Sequence, residues 1–195
     1  MENFRLIAID PSSKFNGIAI FTIEPTTFNI LAIEPVLLDT SGMDMGTMDL
    51  PSSSNRLVRT ASLFNKLLIN CNPLAICFEK PFIHGMFKGA FASLNAMTNT
   101  FLLSAKQFNP DLHVSWFSPA EVKKAIGGKA GRNSSGKDDM LTLASNHPLI
   151  KEHLDASQLN EHTIDALAIG LCWIEKFKSN RELLFLFRQK PKEQI

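Results

Sequence analysis

The strongest constraint on the fold lies near the start of the chain, in the stretch from Arg5 to Phe21. An apolar run from Leu6 to Ile9 stops at Asp10-Pro11, and a second β-rich run starts at Gly17. Apolar runs bounded by Asp, Pro and Gly read as two strands joined by a turn. Asp10 therefore sits where a buried strand leaves its sheet. A carboxylate there is costly unless water, a hydrogen bond or a cation meets it, so its partners are to be sought downstream. Taken alone, Asp-Pro fits a plain hairpin turn better than a ligand.

A second acid repeats this placing. Phe28 to Leu38 reads as a third strand, which gives the sheet an antiparallel start, and Asp39 to Ser54 is an aperiodic loop rich in Ser, Met, Gly and Asp. Asn55 then caps an amphipathic run in which Leu57, Leu63, Phe64, Leu67 and Leu68 recur at helical spacing up to Cys71. Asn72-Pro73 ends that helix, and Leu74 to Phe78 reads as a strand buried on both faces that stops at Glu79. A strand, helix, strand connection is parallel and right-handed, so neighbouring strands bring their ends together. Glu79 on its own fits a solvent-facing residue before the turn-forming Pro81 better than a ligand.

Met86 to Phe108 has the spacing of a long, largely buried helix, and Leu112 to Phe117 reads as a fifth strand. Ser118-Pro-Ala-Glu121 is a capping box that opens a short helix, which Gly127-Gly128 ends. A flexible basic loop follows to Gly136, Lys137 opens a helix through Ser145, and His147 to Leu154 reads as a short one. The last long helix, Glu161 to Phe177, carries Ile164, Leu167, Ala168, Leu171 and Ile174 on its apolar face. His162 and Asp165 are three apart and project from one face of it, a usual spacing for two ligands of one metal. A helix-start histidine and a first-turn acid favoured by the helix dipole describe the same pair. Arg181 to Arg188 reads as a short packing or partner-binding helix.

The 195 residues suit a single domain, with a core of about residues 4–178 and a tail from 179 to 195. The 45% hydrophobic and 20% charged content is that of a soluble globular protein. No apolar run reaches the length of a membrane span and the N-terminus has no signal-peptide pattern, so a cytoplasmic location is expected. The net charge of +1 does not announce a nucleic-acid binder, but the basic charge is local. Lys123, Lys124, Lys129, Arg132 and Lys137 fall within one short segment whose first residue is Glu121. The glycine-rich loop inside it lacks the phosphate-loop pattern. Cys71, Cys77 and Cys172 are odd in number, lie in apolar surroundings and lack metal-type spacing, which favours reduced core thiols.

Two strand-end carboxylates with a His/Asp pair on the last helix together match an α/β architecture of the ribonuclease H class. That architecture is a five-stranded mixed sheet flanked by helices, with three antiparallel strands followed by two parallel ones. Five segments carry a resemblance in this order: Ile9-Asp-Pro-Ser-Ser-Lys-Phe-Asn-Gly17, Phe78-Glu-Lys-Pro-Phe82, Val122-Lys-Lys124, Gly136-Lys137 and His162-Thr-Ile-Asp-Ala-Leu-Ala-Ile169. From about Leu6 to about Trp173 the sequence resembles the RuvC family of Holliday-junction resolvases.

The resemblance implies that Asp10, Glu79, His162 and Asp165 are the family's metal-binding tetrad, with His162 at a position that is His or Asp across the family. It implies that Lys123 and Lys137 assist catalysis and that Phe82 stacks on bases at the junction centre. Lys80, Lys124, Lys129 and Arg132 are then expected against DNA. The implied activity is that of a crossover junction endodeoxyribonuclease, with two Mg²⁺ ions per site, Mn²⁺ as a substitute, paired nicking of four-way junctions and a homodimer. The alternative is a nuclease of the same fold acting on forks, flaps or three-way junctions. Ser12 stands where the family usually has Gly, and the loops at 39–54 and 127–136 are distinctive, which suits a phage-encoded or divergent member. An actin-like ATPase would be a longer, duplicated chain. A non-catalytic relative would have lost one of the four acidic-site residues, and all four are present here.

Overall fold

Runs such as Leu6-Ile-Ala-Ile9 place an apolar side chain on each face of the sheet, so both faces have to be covered. The computed structural model describes residues 2–41, 52–81, 88–129 and 137–179. Strands β1 (Phe4–Asp10), β2 (Phe15–Ile23) and β3 (Ile30–Asp39) form an antiparallel ladder. Helix α1 (Ser52–Cys71) returns the chain so that β4 (Ala75–Glu79) pairs parallel with β1. Helix α2 (Lys88–Phe108) does the same for β5 (His113–Phe117) beside β4. The order β3-β2-β1-β4-β5 is the five-stranded mixed sheet expected. After it come α3 (Pro119–Ala125), α4 (Lys137–Asn146), α5 (Pro148–Lys151), a 3-10 turn at Ala156–Gln158 and α6 (Glu161–Ser179).

Strand alternation sorts the interior into two cores. Ile7, Ile9, Ile18, Ile20, Ile76 and Phe78 pack against Phe64 and Leu68 of α1 and Met97, Phe101 and Ala105 of α2. Leu6, Ala8, Ala19, Phe21, Ala75 and Cys77 face the other way, onto α6. Residues two apart on a strand share a face. Asp10 follows Leu6 and Ala8, and Glu79 follows Ala75 and Cys77, so both strand-end acids lie on the α6 side.

Helix α6 is buried over most of its length, with Ala166 to Ile169, Leu171 and Trp173 fully shielded. It lies close to the sheet because Gly170 faces Phe21, whose ring would overlap any Cβ placed there. Trp173 anchors its far end, stacked on Phe177 at 3.9 Å between centroids and flanked by Phe4 at 6.2 Å and Phe28 at 6.3 Å. Among the described residues no helix is long and apolar enough to cross a membrane. The three cysteines are free, as expected. Burial pushes the Cys77 thiol well up and that of Cys172 to about 12, so neither is poised for thiolate chemistry.

Several boundaries differ from the expectation. β3 starts at Ile30, not Phe28, because Phe28 has φ 60° and closes a turn in which its N–H donates to the Glu24 carbonyl at 2.9 Å. A left-handed phenylalanine is uncommon, and here the burial of its ring against Phe4 and Trp173 offsets the strain. β2 begins two residues before Gly17, at Phe15. Asp39 ends β3 and Ser52 already belongs to α1, so the loop is shorter than 39–54, and Asn55 lies inside the helix rather than at its cap. Serines are tolerated in a first turn, where backbone N–H groups have no helical acceptor. α5 stops at Lys151, short of Leu154, and the 3-10 turn after it was not foreseen; Asp155 caps that turn by accepting from the Ser157 N–H at 3.0 Å. The capping box of α3 is formed as expected, with Ser118 and Glu121 bonded reciprocally. The segment 181–188 lies outside the described residues.

Candidate active site

The site is assembled at the ends of β1 and β4 by the first turns of α6. The start of α6 is set by Asn160, whose Oδ1 accepts from the Thr163 N–H at 2.9 Å and whose carbonyl accepts from the Ile164 N–H at 3.1 Å. That is an N-cap, and it satisfies donors that a helix start leaves unpaired. It also decides which residues occupy the first turn, and so places His162 over the sheet. Asn160 was not singled out from the sequence, although an Asn just before an apolar helical period is a recognisable signal.

Gly17 makes the seat. It pairs with Asp10 across the β1–β2 ladder, on the face that carries α6. A Cβ at Gly17 would overlap the His162 carbonyl and come within 2.8 Å of the Thr163 nitrogen. The sequence marks this glycine as a turn residue; in the structure it permits a helix backbone to rest on a strand.

With the helix so placed, His162 Nδ1 donates to Asp10 Oδ2 at 2.9 Å, and both side chains are about four-fifths shielded, at 23% and 20% exposure. A carboxylate only accepts, so Nδ1 carries a proton, and Nε2 lies 3.9 Å from Glu161 Oε1. The hydrogen bond to Asp10 holds the imidazole pKa above its usual value, against a smaller opposing effect of burial. Glu79 is pushed up to about 7, first by burial, then by the negative charges of Asp10 and Asp165; Lys123 pulls the other way. Those perturbations show that Asp10, Glu79, Asp165 and Lys123 share one electrostatic environment. An acid and a histidine whose proton affinities are both raised beside the same carboxylate are marks of a candidate functional site.

The other expected residues fall around this centre or outside the description. Lys123 and Lys124 lie in the last turn of α3, half-buried and exposed respectively, while Lys80 and Lys129 are exposed. The Lys80 N–H donates to the Phe117 carbonyl at 2.7 Å, which keeps the strand β4 exit tied to β5. Lys137 is the first residue of α4, and its side chain lies outside the description. Phe82 and Arg132 lie outside the described residues altogether. Phe15, whose ring stacks on His162, was not singled out from the sequence as a site residue.

Among the described residues no group of three or more His, Cys, Asp or Glu side chains closes tightly enough to hold an ion by itself. The chemistry of the donor set nevertheless fits a hard divalent cation: carboxylates of three residues and one imidazole, two of the carboxylates raising the proton affinity of the third. A cation removes that repulsion.

No family model matches the sequence, and no curated protein matches it. Solved structures do. The RuvC structure of Thermus thermophilus superposes with a TM-score of 0.65 at 19% identity, over 91% of this chain and 96% of that one. The fold is that of RuvC. RuvC of the same organism in complex with a Holliday junction substrate gives a TM-score of 0.63 at 18% identity, over 86% and 91% of the two chains. The yeast mitochondrial Holliday junction resolvase Ydc2 gives 0.58 at 16% identity, over 94% and 84%. The fold relatives are those the sequence motifs pointed to, and the RuvC-like arrangement is the ribonuclease H-like sheet described above.

Proposed function

We propose that this chain is a metal-dependent, structure-selective endodeoxyribonuclease that resolves four-way DNA junctions by paired nicking. One observation carries the proposal: in a RuvC-like fold, Asp10 and Glu79 leave the sheet on the face where α6 presents His162 and Asp165. Asp10, Glu79, Asp165 and His162 would hold Mg²⁺, two ions per site, with Mn²⁺ as a substitute. When bound, the ions supply Lewis-acid stabilisation of the phosphodiester oxygens and a more acidic water.

The chain's own groups supply the rest. Glu79, with its pKa raised to about 7, is partly protonated in the free site near neutral pH and would release that proton to serve as a ligand. Asp10 fixes the imidazole of His162 through Nδ1, so that Nε2 is the ring atom that would accept a proton or an ion. Lys123, close enough to lower the Glu79 pKa, offers its ammonium to the scissile or an adjacent phosphate, with Lys137 as a second cation. Lys80, Lys124, Lys129 and Arg132 would hold the DNA backbone, a sequence-independent contribution that weakens with salt. Phe82 would stack on an unpaired base at the junction centre, a contact worth about 1–3 kcal/mol. Paired nicking of a two-fold junction calls for two copies of the chain.

The experiment is a comparison of synthetic four-way, three-way, fork and linear duplexes with Mg²⁺ or Mn²⁺. Paired cleavage of the four-way junction in preference to the rest is the expected result. Preference for forks or three-way junctions would transfer the site to another branched substrate, and cleavage of none would remove the nuclease proposal.

A further inference from the structure

His162 touches the β1–β2 hairpin in three places. Its Nδ1 meets Asp10, its backbone carbonyl rests against Gly17, and its ring lies nearly parallel to that of Phe15, with centroids 6.2 Å apart and an interplanar angle of 23°. Phe15 and Gly17 are two apart on β2, so one strand face serves both the side chain and the backbone of the same helical residue.

Phe15 is 37% exposed, unlike Phe21 and Phe78, which are fully buried and hold the sheet. Its position at the polar end of the sheet is therefore not explained by the core. The hydrogen bond at Nδ1 and the longer 3.9 Å contact of Nε2 with Glu161 act at the two ring nitrogens, but the terminal torsion of a histidine is broad. An aromatic face beside the ring narrows the range of that torsion, because tilting the imidazole would give up the nearly parallel contact. The base of this contact is firm. Asn16, fully buried on the opposite strand face, accepts from the Ser12 N–H at 2.9 Å and ties down the loop between Asp10 and Phe15. The Thr40 N–H and hydroxyl both donate to the Lys14 carbonyl, at 2.9 and 3.0 Å, fastening the residue before Phe15 to the end of β3.

We propose that Phe15 is a positioning residue: its ring holds the imidazole of His162 in the plane that keeps Nδ1 on Asp10 and turns Nε2 toward ion and substrate. The consequence for cleavage rests on the nuclease proposal above; the consequence for the imidazole does not. Phe15→Leu keeps the apolar bulk and discards the plane, whereas Phe15→Trp keeps a plane.

The test uses the full chain. Imidazole nitrogen shifts of His162 are recorded by NMR without metal across a pH titration and compared on its alkaline plateau, and Mg²⁺-dependent cleavage of a four-way junction is measured alongside. In the wild type and Phe15→Trp, two well-separated nitrogen shifts mark the Nδ1-protonated tautomer. In Phe15→Leu the two shifts converge toward a tautomer average and kcat falls about tenfold, the scale of a modest misplacement of a catalytic group, with junction affinity unchanged. Unchanged nitrogen shifts in Phe15→Leu overturn the proposal, whether or not activity drops; a loss of activity alone would assign Phe15 to the substrate. If the wild type cleaves no junction while the shifts converge, the nuclease proposal fails and the positioning role stands.

Discussion

Gly17 lies directly beneath the peptide carbonyl of His162, so that the strand bearing Asp10's partner and the helix bearing the histidine meet backbone to backbone. The distance between the Asp10 carboxylate and the imidazole is set by this contact before either side chain chooses a rotamer. A residue with no side chain thus fixes the geometry of the two to which the proposed chemistry is assigned.

Gly17→Ala is expected to be severe, because the atoms a methyl group would overlap are backbone and cannot rotate away. Lifting α6 off β2 would open the core around Phe21 and Gly170, a cost of about 1–3 kcal/mol by urea denaturation, in the range of overpacked cores. Cleavage should fall more than the loss of folded protein accounts for, since His162 moves with the helix. Gly89→Ala is the control. A Cβ there meets nothing within 4 Å and the residue lies in α2, so the change should stabilise by roughly 0.5–1 kcal/mol.

Asp10→Asn, Glu79→Gln and Asp165→Asn should each reduce Mg²⁺-dependent cleavage by about a thousandfold or more, as removal of a group that stabilises transition-state charge does. Junction binding should survive, because the contacts proposed to the DNA backbone come from cationic side chains, which these substitutions leave in place. Gel-shift titrations beside cleavage assays separate the two. Wild-type cleavage by any one variant would remove that residue from the site.

The parts of this site differed in how far the sequence disclosed them. Asp10 and Glu79 were legible because an acid ending an apolar run stands out, and His162 and Asp165 because three-residue spacing on a helix puts them on one face. The face taken by the two strand-end acids was not legible: Leu6 to Ile9 is apolar at every position, so alternation gives no inside and outside until α6 is seen to cover one side. Gly17 showed its turn-forming character but not the helix above it, which is a contact across 145 positions of sequence with no side-chain pattern to announce it. The turn at Phe28 was hidden for a different reason. A positive φ at a phenylalanine is dictated by tertiary packing on Trp173, and residue type argues against it.

The pair formed by His162 and Asp10 should contribute to stability in a pH-dependent way. The folded imidazole has a raised pKa, so the contribution is fully present below the unfolded value of about 6.5 and is lost as pH rises through the higher folded value. A double-mutant cycle of Asp10→Asn with His162→Gln in metal-free buffer should give a coupling of about 1–2 kcal/mol at about pH 5.5, where a histidine is charged and a carboxylate still ionised, and less than half of that at alkaline pH, reduced from the fully buried case because both side chains keep some exposure. Equal coupling at both ends would show that the contact is not an ion pair.

Glu79 should behave in the opposite sense to a stabilising carboxylate. Its folded pKa of about 7 lies above the ordinary 4.5, so the folded protein holds a proton that the unfolded chain releases. Between those values stability falls as pH rises; the penalty is absent below the lower one and complete above the upper one. Glu79→Gln removes the titrating group and should raise the stability of the metal-free protein at about pH 8 by on the order of 1–3 kcal/mol, with little effect near pH 4. Mg²⁺ should reverse the ranking. A cation among Asp10, Glu79 and Asp165 offsets the repulsion that raised the pKa, so the wild type gains thermal stability from Mg²⁺ and the variant gains much less. The wild-type gain should be larger at pH 8 than at pH 6, because the bound ion has to displace the Glu79 proton at the lower pH. Thermal melts of both proteins at the two pH values, in EDTA and in Mg²⁺, check each part. A gain from Mg²⁺ that is the same in both proteins would place the ion away from Glu79.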